Sequence, residues 1–299
     1  MLGVAQIEWV LKRLKKAGVF EVIVNLHHLG QKIKRHLESK DFGISISFSE
    51  EEEILGTLGA LLAPLVRRFF AGEEYFLVHN ADIFIDFDLK KLLHFHEANG
   101  GVATMLFCKG KNNDVCEVEK GKLISIRGVP QYKGGKKFVF TGVSVQTKEV
   151  YLRFVEGVKG CLVQDYIIPM LQDGKEVGAL VMEDGMFFDI GTKERYLALN
   201  KILLPKASEV FEDAGFKPPK VIEQGVFVLG NPKIEKGAKI LAPSLICDRA
   251  TIESGAKVGP NCVVCDGAVI PKGTVVQECV VFPKTVAWSS SHTIMLSLI

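Results

Sequence analysis

The chain has 299 residues, 47% of them hydrophobic and 24% charged, with 37 Lys and Arg against 35 Asp and Glu. This is the composition of an ordinary globular protein with a real core, and a net charge of +2 gives no electrostatic reason to bind nucleic acid or a membrane surface. No apolar run approaches the ~20 residues of a membrane span, the first basic cluster follows apolar residues as no signal peptide does, and seven scattered cysteines fit a reducing, cytoplasmic setting.

Gln6 to Ala17 predicts a helix, because Ile7, Val10, Leu11 and Leu14 recur on one face and Glu8, Lys12, Arg13, Lys15 and Lys16 fall on the other, with Lys12 to Lys16 expected to be a solvated face. Val19 to Leu26 reads as a strand, Gln31 to Glu38 as a polar helix, and Phe42 to Phe48 as a half-buried strand. Helices and strands then alternate through Leu58–Phe70, Tyr75–Val78, Leu89–Asn99 and Val102–Phe107, which predicts an α/β fold with a Rossmann-like, mostly parallel sheet. From Val115 to Val145 the pattern turns to short alternating strands, expected as an antiparallel extension. A helix around Gln164–Leu171, strands at Val177–Val181 and Met186–Ile190, and a helix from Thr192 to Leu204 complete this part. Thr192 is the expected N-cap of that last helix, as Asp88 is of the helix after it.

The organising stretch is Tyr75 to Asp88, YFLVHNADIFIDFD. A short apolar strand ends there in His79-Asn80-Ala81-Asp82, and open α/β sheets bind ligands beyond the carboxyl ends of their strands. Asp82 is therefore the candidate ligand and Asp86 plain loop. Phe187-Phe188-Asp189-Ile190-Gly191-Thr192 is a second strand ending in a carboxylate. Two strand-end aspartates suit a shared divalent cation, since Mg²⁺ typically takes one or two carboxylates plus substrate phosphates; the expected separation is roughly 6 Å or less. Ile54 to Ala60 puts Gly56 and Gly59 at a helix start, where glycines allow a close backbone approach. Phe140-Thr141-Gly142-Val143 is a strand whose glycine admits either a sugar ring or a bulge.

Residues 205–219, rich in Pro and Lys, read as a linker between a domain of residues 1–204 and a second domain of residues 220–299. In the second the period becomes six, with apolar residues at Ile222, Val228, Ile234, Ile240, Ile246, Ile252, Val258, Val264, Ile270, Val276 and Phe282. Small residues sit two positions earlier, as at Ala250, Ala256, Cys262 and Ala268. A parallel β-helix explains that period and neither an α-helix nor a flat strand does. Trp288 to Ile299 loses the register and is expected to be a cap or ragged end. Cys262-Val263-Val264-Cys265 has zinc-like spacing, but Cys262 occupies a corner of the repeat and no second pair exists, so a metal is not expected there.

Taken together, LGTLGAL, FLVHNADIFIDFD, FTGVSV and FFDIGTKERYLALN resemble the nucleotide-sugar pyrophosphorylases, the sugar-1-phosphate nucleotidylyltransferases, over essentially the whole chain. Among their branches the sequence is most similar to the mannose-1-phosphate guanylyltransferase-like and heptose- or muramate-phosphate group, and its six-residue repeats resemble that family's left-handed β-helix tail. The resemblance implies nucleotide binding by Gly56, Thr57, Gly59 and Asn80, and a sugar site lined by Thr141 and Gly142. It implies Mg²⁺ on Asp82 and Asp189 as the catalytic carboxylates. It implies NTP and sugar 1-phosphate as substrates, and a homo-oligomer built through the β-helix.

Three departures accompany it. Ala81 stands where the family has glycine, with a steric cost expected. Arg127-Gly128-Val129-Pro130 lacks the usual phosphate-binding lysine. The sequence as given begins after the family's first strand and glycine-rich loop, which leaves an expected gap in the sheet and little or no transferase activity, through truncation or natural loss. The competing expectation is a non-catalytic subunit of the same fold that binds nucleotide sugars. A hexapeptide acyltransferase fits poorly, because no histidine lies within the repeats.

Overall fold

The computed structural model describes residues 1–110, 115–131, 134 and 136–287. The chain divides into two compact units, Arg13–Phe187 on the one hand and Met1–Lys12 with the chain from Phe188 onward on the other. Helix α1 (Gln6–Lys16) opens the chain. Its predicted polar face is not uniformly solvated: Glu8 is buried, and Arg13 pairs with Asp86 at 3.1 Å.

In the first unit, β1 (Glu21–Leu26), α2 (Gly30–Glu38) and β2 (Ser45–Glu50) form a strand–helix–strand with parallel pairing of β1 and β2. These two strands make a sheet of their own. Helices α3 (Gly56–Leu62) and α4 (Pro64–Phe69) lead to β3 (Tyr75–His79) and β4 (Ile83–Asp86). Then come α5 (Leu89–Asn99), β5 (Ala103–Cys108), the hairpin strands β6 (Val115–Glu119) and β7 (Lys122–Ile126), and the long β8 (Lys136–Thr147). Helix α6 (Glu149–Arg153), a π-helical turn (Leu162–Ile167) running into α7 (Ile168–Gln172), and β9 (Val177–Val181) close the unit, and β10 (Met186–Asp189) leads out of it.

The main sheet has the order β3-β8-β5-β9-β7-β6. Strands β5 and β9 are parallel, as expected for an α/β fold, but β8 runs antiparallel between β3 and β5. Of the segment expected as an antiparallel extension, β6 and β7 form the antiparallel edge of the sheet and β8 enters its middle. Its polar residues hid this: Thr141, Ser144 and Gln146 are buried, and Gln146 Nε2 donates to Ser144 Oγ at 2.8 Å. The core gathers Phe76, Met105, Phe107 and Tyr166 with Leu58 and Leu62 of α3, an apolar area large enough for the hydrophobic effect to dominate its stability.

In the second unit, α8 (Lys193–Leu203) is capped by Thr192, whose hydroxyl accepts from Arg195 N–H; Asp88 likewise caps α5. Where a linker was expected, a 3₁₀ turn (Leu204–Lys206) and α9 (Ala207–Asp213) form instead, with Ala207, Val210 and Phe211 buried. Trp9 packs edge-on against Phe211 at 5.0 Å and Phe216 at 4.7 Å, and Leu2 N–H donates to Asn200 Oδ1 at 2.7 Å. The expected boundary near 204–219 therefore differs from the observed compact unit, which takes in the chain's first turns.

Beyond β11 (Lys220–Glu223), strands β12 (Val226–Val228) to β21 (Val280–Val281) wind as a parallel β-helix with three sheets. Paired positions lie 18 residues apart, three repeats of six per coil, as in Phe227–Leu245–Val263. Val228, Ile246, Ile252, Val258, Val264, Ile270 and Val276 fill the interior, with Ala250, Ala256, Cys262 and Ala268 among them. The predicted register fails at both ends. Ile222 lies in β11, which pairs antiparallel with β12, and is 56% exposed. At the other end the last coil is one residue shorter, Val264 opposing Val281, so Val281 takes the interior place assigned to Phe282. The expected cap at Trp288–Ile299 lies outside the described residues.

Candidate functional site

Strand β3 carries Phe76 and Val78 into the core and ends at His79, so the polar turn 80–82 emerges at its carboxyl end. A bulge in the neighbouring strand fixes this turn. Between the pairs Met105–Ser144 and Phe107–Phe140, only Leu106 of β5 faces Thr141, Gly142 and Val143 of β8. The Thr141 hydroxyl donates to Leu106 O at 2.9 Å and accepts from Val143 N–H at 3.3 Å. Thr141, expected at the sugar site, is a buried pin of the bulge with its hydroxyl bonded to the backbone. Gly142 has φ of +83°, a conformation L-residues rarely adopt. An added Cβ there would stand 2.8 Å from Asn80 Nδ2, so Asn80 lies directly over Gly142, and Asn80 N–H donates to Gly142 O at 3.1 Å. The bulge and the strand end are one construction.

Asp82 is exposed, and no protein group among the described residues bonds its carboxylate. Ala81 is absent from the residues with left-handed φ, so the alanine in place of a family glycine carries no backbone strain here. Asp86, expected as plain loop, ends β4 in the ion pair with Arg13, whose guanidinium lies 5.0 Å over the Phe84 ring. His79 was not singled out by sequence. Its Nδ1 lies 2.6 Å from Asn80 O, and burial, with Arg13 nearby, pulls its pKa down to about 4.

The two glycines of α3 serve packing first. Gly56 has φ of +74°, and an added Cβ would meet Gly160 O at 2.4 Å. Leu58 N–H donates to Gly160 O at 3.0 Å and Gly160 N–H to Leu55 O at 2.9 Å. Gly59 is buried, with Val158 O 2.7 Å from where its Cβ would be. Of the expected nucleotide-binding set, Gly56, Thr57 and Asn80 are exposed and Gly59 is enclosed.

In the other unit, Asp189 closes β10. One carboxylate oxygen accepts from Gly191 N–H at 2.9 Å and the other is held by Arg195 on the first turn of α8. This oriented carboxylate and the unpartnered one of Asp82 are hard oxygen donors of the kind a Mg²⁺ ion takes. Among the described residues no group of three or more His, Cys, Asp or Glu side chains forms a ready metal cage.

A sheet whose strand end carries Asn80 and Asp82 against a glycine bulge, in a chain that continues into a parallel β-helix, defines a class of α/β proteins with a repeat domain. The nucleotidyl transferase family model matches residues 4–206, and the chain belongs to that family. It is 27% identical over 237 residues to the mannose-1-phosphate guanylyltransferase catalytic subunit beta of Dictyostelium discoideum, covering 77% of this chain and 62% of that one. To the mannose-1-phosphate guanyltransferase of Saccharomyces cerevisiae it is 25% identical over 239 residues, with the same coverage. The chain thus spans less than two thirds of the length of these curated relatives. The crystal structure of HddC from Yersinia pseudotuberculosis superposes with a TM-score of 0.51 at 19% identity, covering 64% of this chain and 82% of that one. That likeness concerns the fold alone.

Proposed function

We propose that the protein transfers a nucleotidyl group from an NTP to a sugar 1-phosphate, forming a nucleoside diphosphate sugar and pyrophosphate. The observation that carries this reading is the exposed, unpartnered Asp82 carboxylate at the end of β3, beside Asn80 and the Gly142 bulge, in a chain of the nucleotidyl transferase family. In the reaction an oxygen of the sugar phosphate forms a bond to the α-phosphorus. The bond from that phosphorus to the bridging oxygen breaks, and pyrophosphate leaves with the electron pair. Such a transfer needs positioning and charge neutralisation more than a nucleophilic side chain. Asp82 and Asp189 would hold Mg²⁺, which supplies that neutralisation when bound. A metal that displaced Arg195 from Asp189 would free its guanidinium for a phosphate. Gly56, Thr57 and Asn80 lie on the nucleotide side, with Gly59 shaping their support, and Gly142 leaves room for the sugar.

The relatives' names direct the first assays to GTP and mannose 1-phosphate. The test is pyrophosphate release with Mg²⁺ across a panel of NTPs and sugar 1-phosphates, with Asp82→Asn as the control variant. Release that needs both substrates supports transfer; release from NTP alone refutes it. The second reading, a subunit that binds nucleotide sugars without turnover, draws on the Asp189–Arg195 pair, which occupies a metal-binding oxygen. Binding of a nucleoside diphosphate sugar without any pyrophosphate release would favour it. The β-helix is proposed to carry self-association. No helix of the described residues is long and apolar enough to cross a membrane, and a cytoplasmic location is proposed from the scattered cysteines.

A further inference from the structure

We infer that His79 is a positioning residue, whose ring anchors the turn that presents Asp82. A carbonyl oxygen can only accept, so the 2.6 Å contact between His79 Nδ1 and Asn80 O places the ring proton on Nδ1. The ring then leaves Nε2 as a bare acceptor, and that atom is buried with no hydrogen-bond partner among the described residues. Both backbone groups of Asn80 are thereby held, its N–H by Gly142 O and its C=O by His79. The residue's side chain is pressed over Gly142 as well. Fixing the peptide after Asn80 fixes the direction in which the chain leaves for Asp82, two residues on. A free turn would have to order itself each time it engaged a ligand, and preorganisation removes that cost.

The charged groups around the ring support this arrangement. Arg13 from α1 is near enough to oppose protonation of His79, and it is balanced by Asp86 at the end of β4. The ring therefore stays neutral at working pH, with its proton on the nitrogen that makes the contact. A histidine that merely filled space would need neither the tautomer nor the contact to Asn80 O.

This inference rests on the reading of Asp82 as a metal ligand, and its test separates the two. In His79→Asn the amide nitrogen can take the place of Nδ1 and keep the contact to Asn80 O. In His79→Gln the amide reaches the place of Nε2 instead, and His79→Leu removes both. Mn²⁺ binding to each variant would be followed by loss of the free-ion paramagnetic resonance signal, alongside circular dichroism to confirm folding and the Mg²⁺ dependence of pyrophosphate release. The expected result is binding within about threefold of wild type for His79→Asn and at least about tenfold weaker for His79→Gln and His79→Leu, by the ordering cost named above. The Mg²⁺ concentration for half-maximal rate should rise in step, with kcat largely recovered at saturating Mg²⁺. Wild-type binding by His79→Leu, or equal weakening in all three variants, overturns the positioning role. If Asp82→Asn binds Mn²⁺ as tightly as wild type, the metal reading falls and this inference with it. If Asp82→Asn is weak and His79→Leu is not, only this inference falls.

Discussion

Asp82 and Thr141 show how differently two residues of one predicted site can be used. Both lie in short motifs at strand ends, and only the environment separates them: Asp82 stands exposed without a partner among the described residues, whereas Thr141 is sealed in the sheet with its hydroxyl bonded to Leu106 O and Val143 N–H. The carboxylate was legible because polarity directly after an apolar strand marks the strand's end. The burial of Thr141 is not legible in the same way, because a threonine that satisfies itself on the backbone reads in sequence like a polar surface position. His79 was passed over for a related reason, since nothing in the run YFLVH announces that its ring will turn back to Asn80 O. Its titration is a test of that burial. The native ring has a pKa of about 4, below the unperturbed value of about 6.5, so the unfolded chain takes up the proton first. Its contribution to stability is then fully present above about pH 6.5 and is lost as pH falls from there to about 4. The urea midpoint of wild type should drop more steeply than that of His79→Asn across this window, and parallel curves would show that the ring is not buried as described.

At the scale of elements, the six-residue period was the plainest signal in the sequence, and its interior proved right wherever a coil has neighbours on both sides. The ends were not legible, because periodicity says which residues share a row and not where the winding starts or how many residues the last coil uses. Ile222 and Ile252 fall on the same six-residue register, yet Ile222 is exposed on a hairpin and Ile252 is fully buried. Ile252→Ala should destabilise the protein by about 2–5 kcal/mol through the cavity it leaves, and Ile222→Ala by no more than about 0.5 kcal/mol. Chemical denaturation of the two variants distinguishes them, and equal losses would mean that Ile222 belongs to the interior. Strand β8 gives the complementary lesson. Helix–strand alternation led to the α/β class, but the antiparallel insertion of β8 rests on pairings across distant residues, such as Tyr75 with Thr147, which no local pattern encodes.

For the whole molecule, the two compact units do not follow the composition break at residues 205–219. Residues that looked like a linker form α9 and bury Phe211, and the first residues of the chain join the same unit through contacts such as Leu2 with Asn200. Such contacts join residues 198 positions apart, so a window-by-window reading has no access to them. On the β-helix, Leu241 and Val275 are 48% and 45% exposed, apolar side chains that association would cover. The double substitution Leu241→Glu and Val275→Glu should lower the mass measured by light scattering without changing the circular dichroism, and an unchanged mass would remove the β-helix from assembly. The most direct test of the proposed chemistry is pyrophosphate release by the protein and by Asp82→Asn, and the same assay decides between that chemistry and the sequence expectation of little or no transferase activity. The account predicts Mg²⁺-dependent release that requires both NTP and sugar 1-phosphate, falling by about 100-fold or more in the variant, on the scale of losing one group that stabilises transition-state charge. Release that ignores the sugar phosphate, or an Asp82→Asn variant as active as wild type, would contradict it.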